Sequence, residues 1–363
     1  MRTTTIFALA CLTASQAVFA QVYTTPAGYV TIPLPGTQGL AASSLQIASQ
    51  QLLPAGATEF TGTIDSITGN VLTDAQGTWA AGSYINPTPP SGYPNFSHLV
   101  EVTNGPLEGT FTWITASAAN TITTYDNISA AGTATYRIVK AFTISSLIPG
   151  TPPATATFAG GSSSTGDTLL LYNSDAGAYT TFYYKTLGGG GTGWRSTASA
   201  TIDVASVAIH PTDSGLLFQR KQSADGELVI SGEVKTGVTD VLIRGGGGTG
   251  PAATTLNIVQ ALVPSSSLTL ASSGLYTGNS TTGLLGGSSS TADSVLIYNA
   301  TTKAYTTYYY KTLGGGGTGW RSTASATIDE GATVLPSTSA ILIQRKSNGV
   351  DFTWQIPALN IGN

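Results

Sequence analysis

A stretch of this chain is written twice. Ala178 to Asp203 reads AYTTFYYKTLGGGGTGWRSTASATID, and Ala304 to Asp329 repeats it with Tyr308 in place of Phe182. The likeness extends outwards: Gly160–Asn173 answers Gly286–Asn299, and Gln219-Arg220-Lys221 answers Gln344-Arg345-Lys346 after one deletion. A unit of about 65 residues is too long for a solenoid turn and suits a small β module. A fainter echo links Gly39–Ile47 to Gly250–Ile258, each followed closely by a proline, so the strand entering the first half has a counterpart entering the last.

The composition fits repeated β modules and little else. Only 9% of the 363 residues are charged, with 14 Lys+Arg against 18 Asp+Glu and a net charge of −4. Ordinary soluble domains carry roughly a quarter, so hydroxyls and the amides of 44 glycines supply hydration instead. Without a basic block, phosphate neutralisation fails and nucleic acid is excluded as a partner. Thr, Val, Ile and Tyr outweigh the helix formers Glu, Lys, Met and Arg. No window of ten residues carries a capped 3.6-residue period, so any helix is a single turn.

Met1-Arg2-Thr3, the apolar run Ile6–Leu12 and Val18-Phe19-Ala20 form a signal-peptide pattern that predicts a mature start at Gln21. A lipoprotein signal ending at Cys11 is the competing reading, and Leu9 is poorly suited to it. Cleavage after Ala20 removes Arg2 and the single cysteine, so no disulfide framework is expected. No later stretch reaches the ~18 apolar residues of a membrane span. The expected destination is outside the cytoplasm: exterior or outer surface of a Gram-negative-type cell, with the periplasm as alternative.

Composition breaks divide the remainder. Residues 1–20 are the signal peptide, 21–148 an N-terminal β-barrel or sandwich, 149–250 the first repeat module and 251–363 the second. The expected fold class is all-β, tandem small sandwich or barrel modules with an internal duplication and little or no helix. In 58–140 the strands are Thr58–Ile67, Asn70–Thr73, Leu99–Thr103, Thr110–Thr115, Thr121–Tyr125 and Ala134–Val139, broken by Asn, Asp and Gly. The first copy offers Thr168–Tyr172, Ala178–Lys185, Gly193–Ser196, Leu216–Arg220 and Glu227–Val234. The second mirrors them at Ser294–Tyr298, Ala304–Lys311, Gly319–Ser322, Ile341–Arg345 and Phe352–Ile356. LLLY and VLIY lack alternation, as strands covered on both faces do. Tyr179, Thr181, Tyr183 and Lys185 alternate, which turns one side of that hairpin to water.

Catalytic signatures are sparse. GGGGTG recurs at Gly188–Gly193, Gly245–Gly250 and Gly314–Gly319 and formally satisfies G-x-G-x-x-G, yet no helix or ribose-binding acid follows; hairpin tips are expected. His98 and His210 stand alone and read as surface or loop residues, and no zinc set or G-x-S-x-G elbow exists. Glu101, Glu108, Asp203 or Asp329 could converge as a carboxylate pair. Asp167 and Asp293, in Ser/Thr/Gly loops, are the calcium candidates, though single carboxylates are poor ligands. No cofactor, metal or enzymatic activity is expected.

The strongest local constellation is Tyr-Tyr-Lys with Gly-Trp-Arg: Tyr183, Tyr184, Lys185, Trp194 and Arg195, and again Tyr309, Tyr310, Lys311, Trp320 and Arg321. Tyr184, Trp194, Arg195, Tyr310, Trp320 and Arg321 are the candidate ligand-binding set, since exposed rings stack on sugars and arginines donate to hydroxyls. The alternative makes Trp194 and Trp320 core residues, with Arg195 paired to Asp203 and Arg321 to Asp329.

Thr24–Thr31, the run Glu101–Thr115 with Gly105–Gly109, and the late DSVLIYN, GWR, ILIQRK and WQ motifs between Asp293 and Gln355 together resemble a family of exported β-rich repeat proteins. That family, itself uncharacterised, is numerous in verrucomicrobial and related bacteria. The likeness covers nearly the whole mature chain. It implies export and an all-β repeat architecture and no enzymatic activity; the glycine runs Gly188–Gly191 and Gly314–Gly317 are heavier than the family pattern. The central stretch is similar, more loosely, to β modules of tail-fibre and cell-surface proteins. The leading expectation is a non-enzymatic structural, cell-surface or extracellular-matrix protein, assembling with copies of itself or with envelope components. Val22–Leu34 would add as an edge strand to a neighbour. The runner-up is carbohydrate binding, with extracellular polysaccharide as partner.

Overall fold

The structure is a computed structural model. It describes residues 26–37, 44–48, 52–150, 157–173, 176–245, 254–259, 268–299, 304–336, 339–346 and 350–358. The signal-peptide segment 1–20, the Cys11 alternative and most of the glycine run Gly245–Gly250 lie outside the described residues.

The chain is all-β. Its strands form two sandwiches and one larger curled sheet, and the one α-helix among the described residues is the single turn Ile144–Leu147. Thr143 caps that turn, its hydroxyl accepting from Ser146 N while Ser146 Oγ accepts from Thr143 N.

Strand pairing divides the chain differently from its composition breaks. The first sandwich packs a three-stranded sheet, Ala27–Leu34 beside Gly226–Val234 beside Leu52–Leu53, on a five-stranded sheet. The latter runs Gly193–Ser196, Ala178–Lys185, Thr168–Asn173, Ser214–Arg220, Ser44–Ala48. Three strands of this sandwich, Ala27–Leu34, Ser44–Ala48 and Leu52–Leu53, therefore come from the segment assigned by sequence to an N-terminal domain. Between them in the chain, Thr58–Lys140 forms its own antiparallel sheet of seven strands, curled into a half-barrel over Ile64, Leu72, Val100, Ile114, Tyr136 and Ile138. The second sandwich starts before Gly250: Thr239–Ile243 pairs with Phe352–Ile356, opposite the sheet Thr255–Val259, Ile341–Arg345, Ser294–Asn299, Ala304–Lys311, Gly319–Ser322. Both expected boundaries thus move, because a strand belongs with its hydrogen-bonded partner wherever a Pro/Gly-rich stretch falls.

The two sandwiches share their registers. Tyr184 opposes Trp194 as Tyr310 opposes Trp320. Gln219 opposes Leu45 as Gln344 opposes Leu256, so the faint N-terminal echo marks equivalent edge strands. Ile32 opposes Leu228 as Val241 opposes Trp354.

The sandwiches meet through the outer faces of their five-stranded sheets. Tyr172 and Leu217 pack with Ile258, Ala340 and Leu342, flanked by Leu170, Leu256 and Leu296. The approach is close enough that a Cβ on Gly215 would lie 2.5 Å from Ile258. This explains the unbroken LLLY and VLIY runs: one face of each strand fills a sandwich core and the other fills this seam. Tyr305 at the seam has its phenol pushed up to about 12, first by burial, then by Tyr298 and Tyr179. Tyr179 is its counterpart in the first copy.

Val22–Leu34, expected to reach a neighbouring molecule, is partnered at home from Ala27 onward: Ala27 to Leu34 pair in continuous register with Glu233 to Gly226. Its apolar side, Ile32 and Leu34, is buried in the first core.

Candidate functional site

The repeated constellation is built inward. Trp194 and Trp320 are 2% and 3% exposed, each edge-on to the neighbouring tyrosine, Tyr184 or Tyr310, at 5.5 and 5.6 Å. Arg195 and Arg321 are buried. Tyr184 is buried and Tyr310, half-buried, is stacked under Tyr276 at 3.5 Å. None of the five buried side chains offers a face to a sugar, and the Tyr310 ring is already covered on one side. The alternative roles are the ones observed: Trp in the cores, Arg195 3.3 Å from Asp203 and Arg321 3.2 Å from Asp329.

The glycine runs explain why. Lys185 Nζ donates to the carbonyls of Gly189 and, at 3.0 Å, Ala200; Lys311 does the same to Gly315 and Ala326. Arg195 Nη2 donates to Gly190 O and Nη1 to Trp194 O, and Arg321 repeats both bonds. Each loop is a cradle of carbonyls folded over two cations, with Gly190 and Gly316 at φ of 96° and 97°. Phosphate needs N–H groups instead. This cradle also buries Tyr183 and Lys185, so the expected water-facing side of the hairpin ends at Thr181.

The remaining acidic candidates have structural partners. Asp167 and Arg220 form a buried ion pair at 2.8 Å, and Asp167 also accepts from Ala159 N and Lys221 N. Asp293 repeats this with Arg345 at 2.8 Å, Leu285 N and Lys346 N. Their oxygens are thus occupied by N–H donors, and no cluster of three metal-ligating side chains exists among the described residues. Glu101 is held between Arg137 and Lys235, both at 2.5 Å, while Arg137 reaches Glu233 at 2.6 Å. This balanced network bolts the half-barrel to Gly226–Val234 beside a cavity of about 270 Å3 that Glu108 also lines. Glu101 therefore serves as an anchor.

A second bolt joins the half-barrel to the second sandwich. Asp240, buried, accepts from Thr110 Oγ1 at 3.2 Å and Gln355 Nε2 at 3.3 Å, and its N–H donates to Gly109 O. Burial pushes its carboxyl above the ordinary value, against those two side-chain bonds. The folded chain therefore holds this proton to a higher pH than the unfolded chain, and the site loses stability as pH rises from the ordinary carboxylate value through the raised one. Urea midpoints across this window should fall less with pH in Asp240→Asn than in the parent; an equal or steeper fall in the variant refutes the assignment.

Where half-barrel and both sandwiches converge lies a cleft of about 250 Å3. Phe96 stacks on Trp113 at 4.8 Å and 7°, and Tyr125, 60% exposed, stands edge-on to Phe96 at 5.8 Å. His210 packs against Trp113 at 5.1 Å, and Asp126 and Asp213 face the same space. Asn257 fixes the far wall by taking Arg244 N and donating to Arg244 O. Both histidines are buried, contrary to the surface reading: His210 between half-barrel and first sandwich, and His98 on a strand with Nδ1 2.8 Å from Ser97 Oγ and Nε2 3.2 Å from Glu59. Sequence reasoning missed this cleft because its residues come from three separated segments. The only signal was the density of aromatics between Tyr93 and Tyr125.

No protein-family model, curated protein or solved structure matches the chain. The fold and the cleft define an all-β protein of tandem sandwiches carrying an inserted half-barrel. No helix among the described residues is long and apolar enough to cross a membrane.

Proposed function

We propose that this chain is an exported, non-enzymatic structural component of the cell surface or extracellular matrix, acting through association with the envelope. The observation that carries the reading is the use of its few ionisable side chains. In both sandwiches Asp–Arg pairs, buried lysines and the arginines of the glycine loops fasten strands and loops, leaving an outer surface hydrated by hydroxyls and amides. The signal-peptide pattern supplies the route out. Strand donation by Val22–Leu34 is not part of this reading, since its segment from Ala27 is paired within the chain.

Fractionation of a Gram-negative host expressing the tagged chain tests it. The expected result is an N-terminus at Gln21 and recovery with the outer surface or medium. Recovery from the cytoplasm with Met1–Ala20 intact overturns export, and turnover of a hydrolase substrate panel by the purified chain overturns the non-enzymatic assignment.

A further inference from the structure

We propose that the cleft between half-barrel and sandwiches binds a neutral saccharide, with Tyr125 as the stacking platform and Asp126, Asp213 and His210 as the polar contacts. The inference goes beyond the surface role and does not depend on export, so the two fail separately.

The aromatic part is preorganised. Phe96, Trp113 and Tyr125 sit on three different stretches of the half-barrel, and their stacked and edge-on contacts fix each ring by its neighbours. Tyr125 ends this series with most of its surface open. A rigid ring with an open face suits the C–H face of a pyranose, which loses little conformational freedom on stacking.

The polar part matches hydroxyls. Asp126 Oδ2 accepts from Thr112 Oγ1 at 2.9 Å and Asp213 Oδ1 from Thr212 Oγ1 at 3.2 Å, so one oxygen of each carboxylate is oriented by the protein while the other stays outside these bonds. His210 supplies the complementary donor. Its Nδ1 accepts backbone N–H groups from Thr212 at 3.3 Å and Asp213 at 3.1 Å, which assigns the neutral ring's proton to Nε2. Two acceptors and one donor around an aromatic platform are what a sugar's hydroxyls and ring face require. Asp126 and Asp213 outweigh Arg244, which also lines the cleft and is paired with Asp351 at 3.3 Å, and so disfavour an anionic ligand, while about 250 Å3 limits occupancy to one or two sugar rings.

The test uses the full mature chain on an array of neutral oligosaccharides of glucose, galactose, mannose and N-acetylglucosamine, with hits measured by calorimetry. Tyr125→Ala and Asp213→Asn should each weaken binding by about tenfold or more. Both side chains are exposed, so melting temperatures should stay at the parent value, and saturation-transfer NMR should place sugar protons against a tyrosine ring. Absence of binding at about 1 mM of every neutral sugar, unchanged affinity in both variants, or capture of choline in place of sugars overturns the proposal.

Discussion

Asp293→Ala is expected to unfold the second sandwich at moderate urea, with a loss of about 3–5 kcal/mol, because it strands Arg345 in the interior without its counter-ion. Arg345 is 0% exposed and Asp293 1%, and the guanidinium lies over the Phe352 ring at 4.7 Å. Burial pushes the Asp293 carboxyl up and the Arg345 guanidinium down from their ordinary values, so desolvation outweighs the attraction between them. The N–H bonds from Leu285 and Lys346 help hold the carboxylate in place, and in doing so tie the loop before one strand to the end of another. The same reasoning predicts that replacing both partners together, Asp293→Leu with Arg345→Met, recovers much of the loss. Urea unfolding followed by tryptophan fluorescence measures both variants. A cost of less than about 1 kcal/mol for Asp293→Ala would show that the pair sits in a wetter place than its burial indicates.

The second large effect is at the repeated tryptophans. Trp194→Ala and Trp320→Ala should each cost about 3–5 kcal/mol, since each empties a packed site that strand geometry prevents from collapsing. Trp194 touches Phe158 and Tyr184 in the first core, and Trp320 touches Tyr310 in the second. The arginine beside each one hydrogen-bonds the tryptophan's own carbonyl, so the cavity also loosens the glycine loop above it. Variants that melt with the parent would return these residues to the role of a binding surface.

Much of this fold was legible along the chain because strands announce themselves locally. The expected ranges in both copies agree with the observed strands to within a residue or two, and Thr143–Leu147 holds the single capped turn that the missing 3.6-residue period allowed. The pairing was not legible. Nothing in Ala27–Leu34 states that its partner lies beyond an entire inserted sheet, and for Ser44–Ala48 the faint echo of Gly250–Ile258 is the one hint, because antiparallel pairing depends on which apolar faces meet and sequence distance does not enter. The Trp-Arg constellation illustrates the same limit: a Trp on an alternating strand points to one face, and only the opposing sheet decides whether that face is a core. The cleft was hidden for a related reason, since Trp113, Tyr125 and His210 carry no shared spacing.

The half-barrel sits between the three early strands of the first sandwich and the rest of it, and this arrangement dictates an order of events as the chain is made from its N-terminus. Ala27–Leu34, Ser44–Ala48 and Leu52–Leu53 come first and have no sheet partner until Ser214–Val234 follows. Among the described residues the strands of the half-barrel pair within Thr58–Lys140, so it can close before the later strands have been made. Once closed it brings its two ends onto one module, replacing a long slack loop with a short rigid one and lowering the closure entropy that the waiting strands must overcome. The inserted sheet thus acts as a staple made early in the life of the molecule, and a chain that lacks it would present its unpaired early strands to its neighbours for longer.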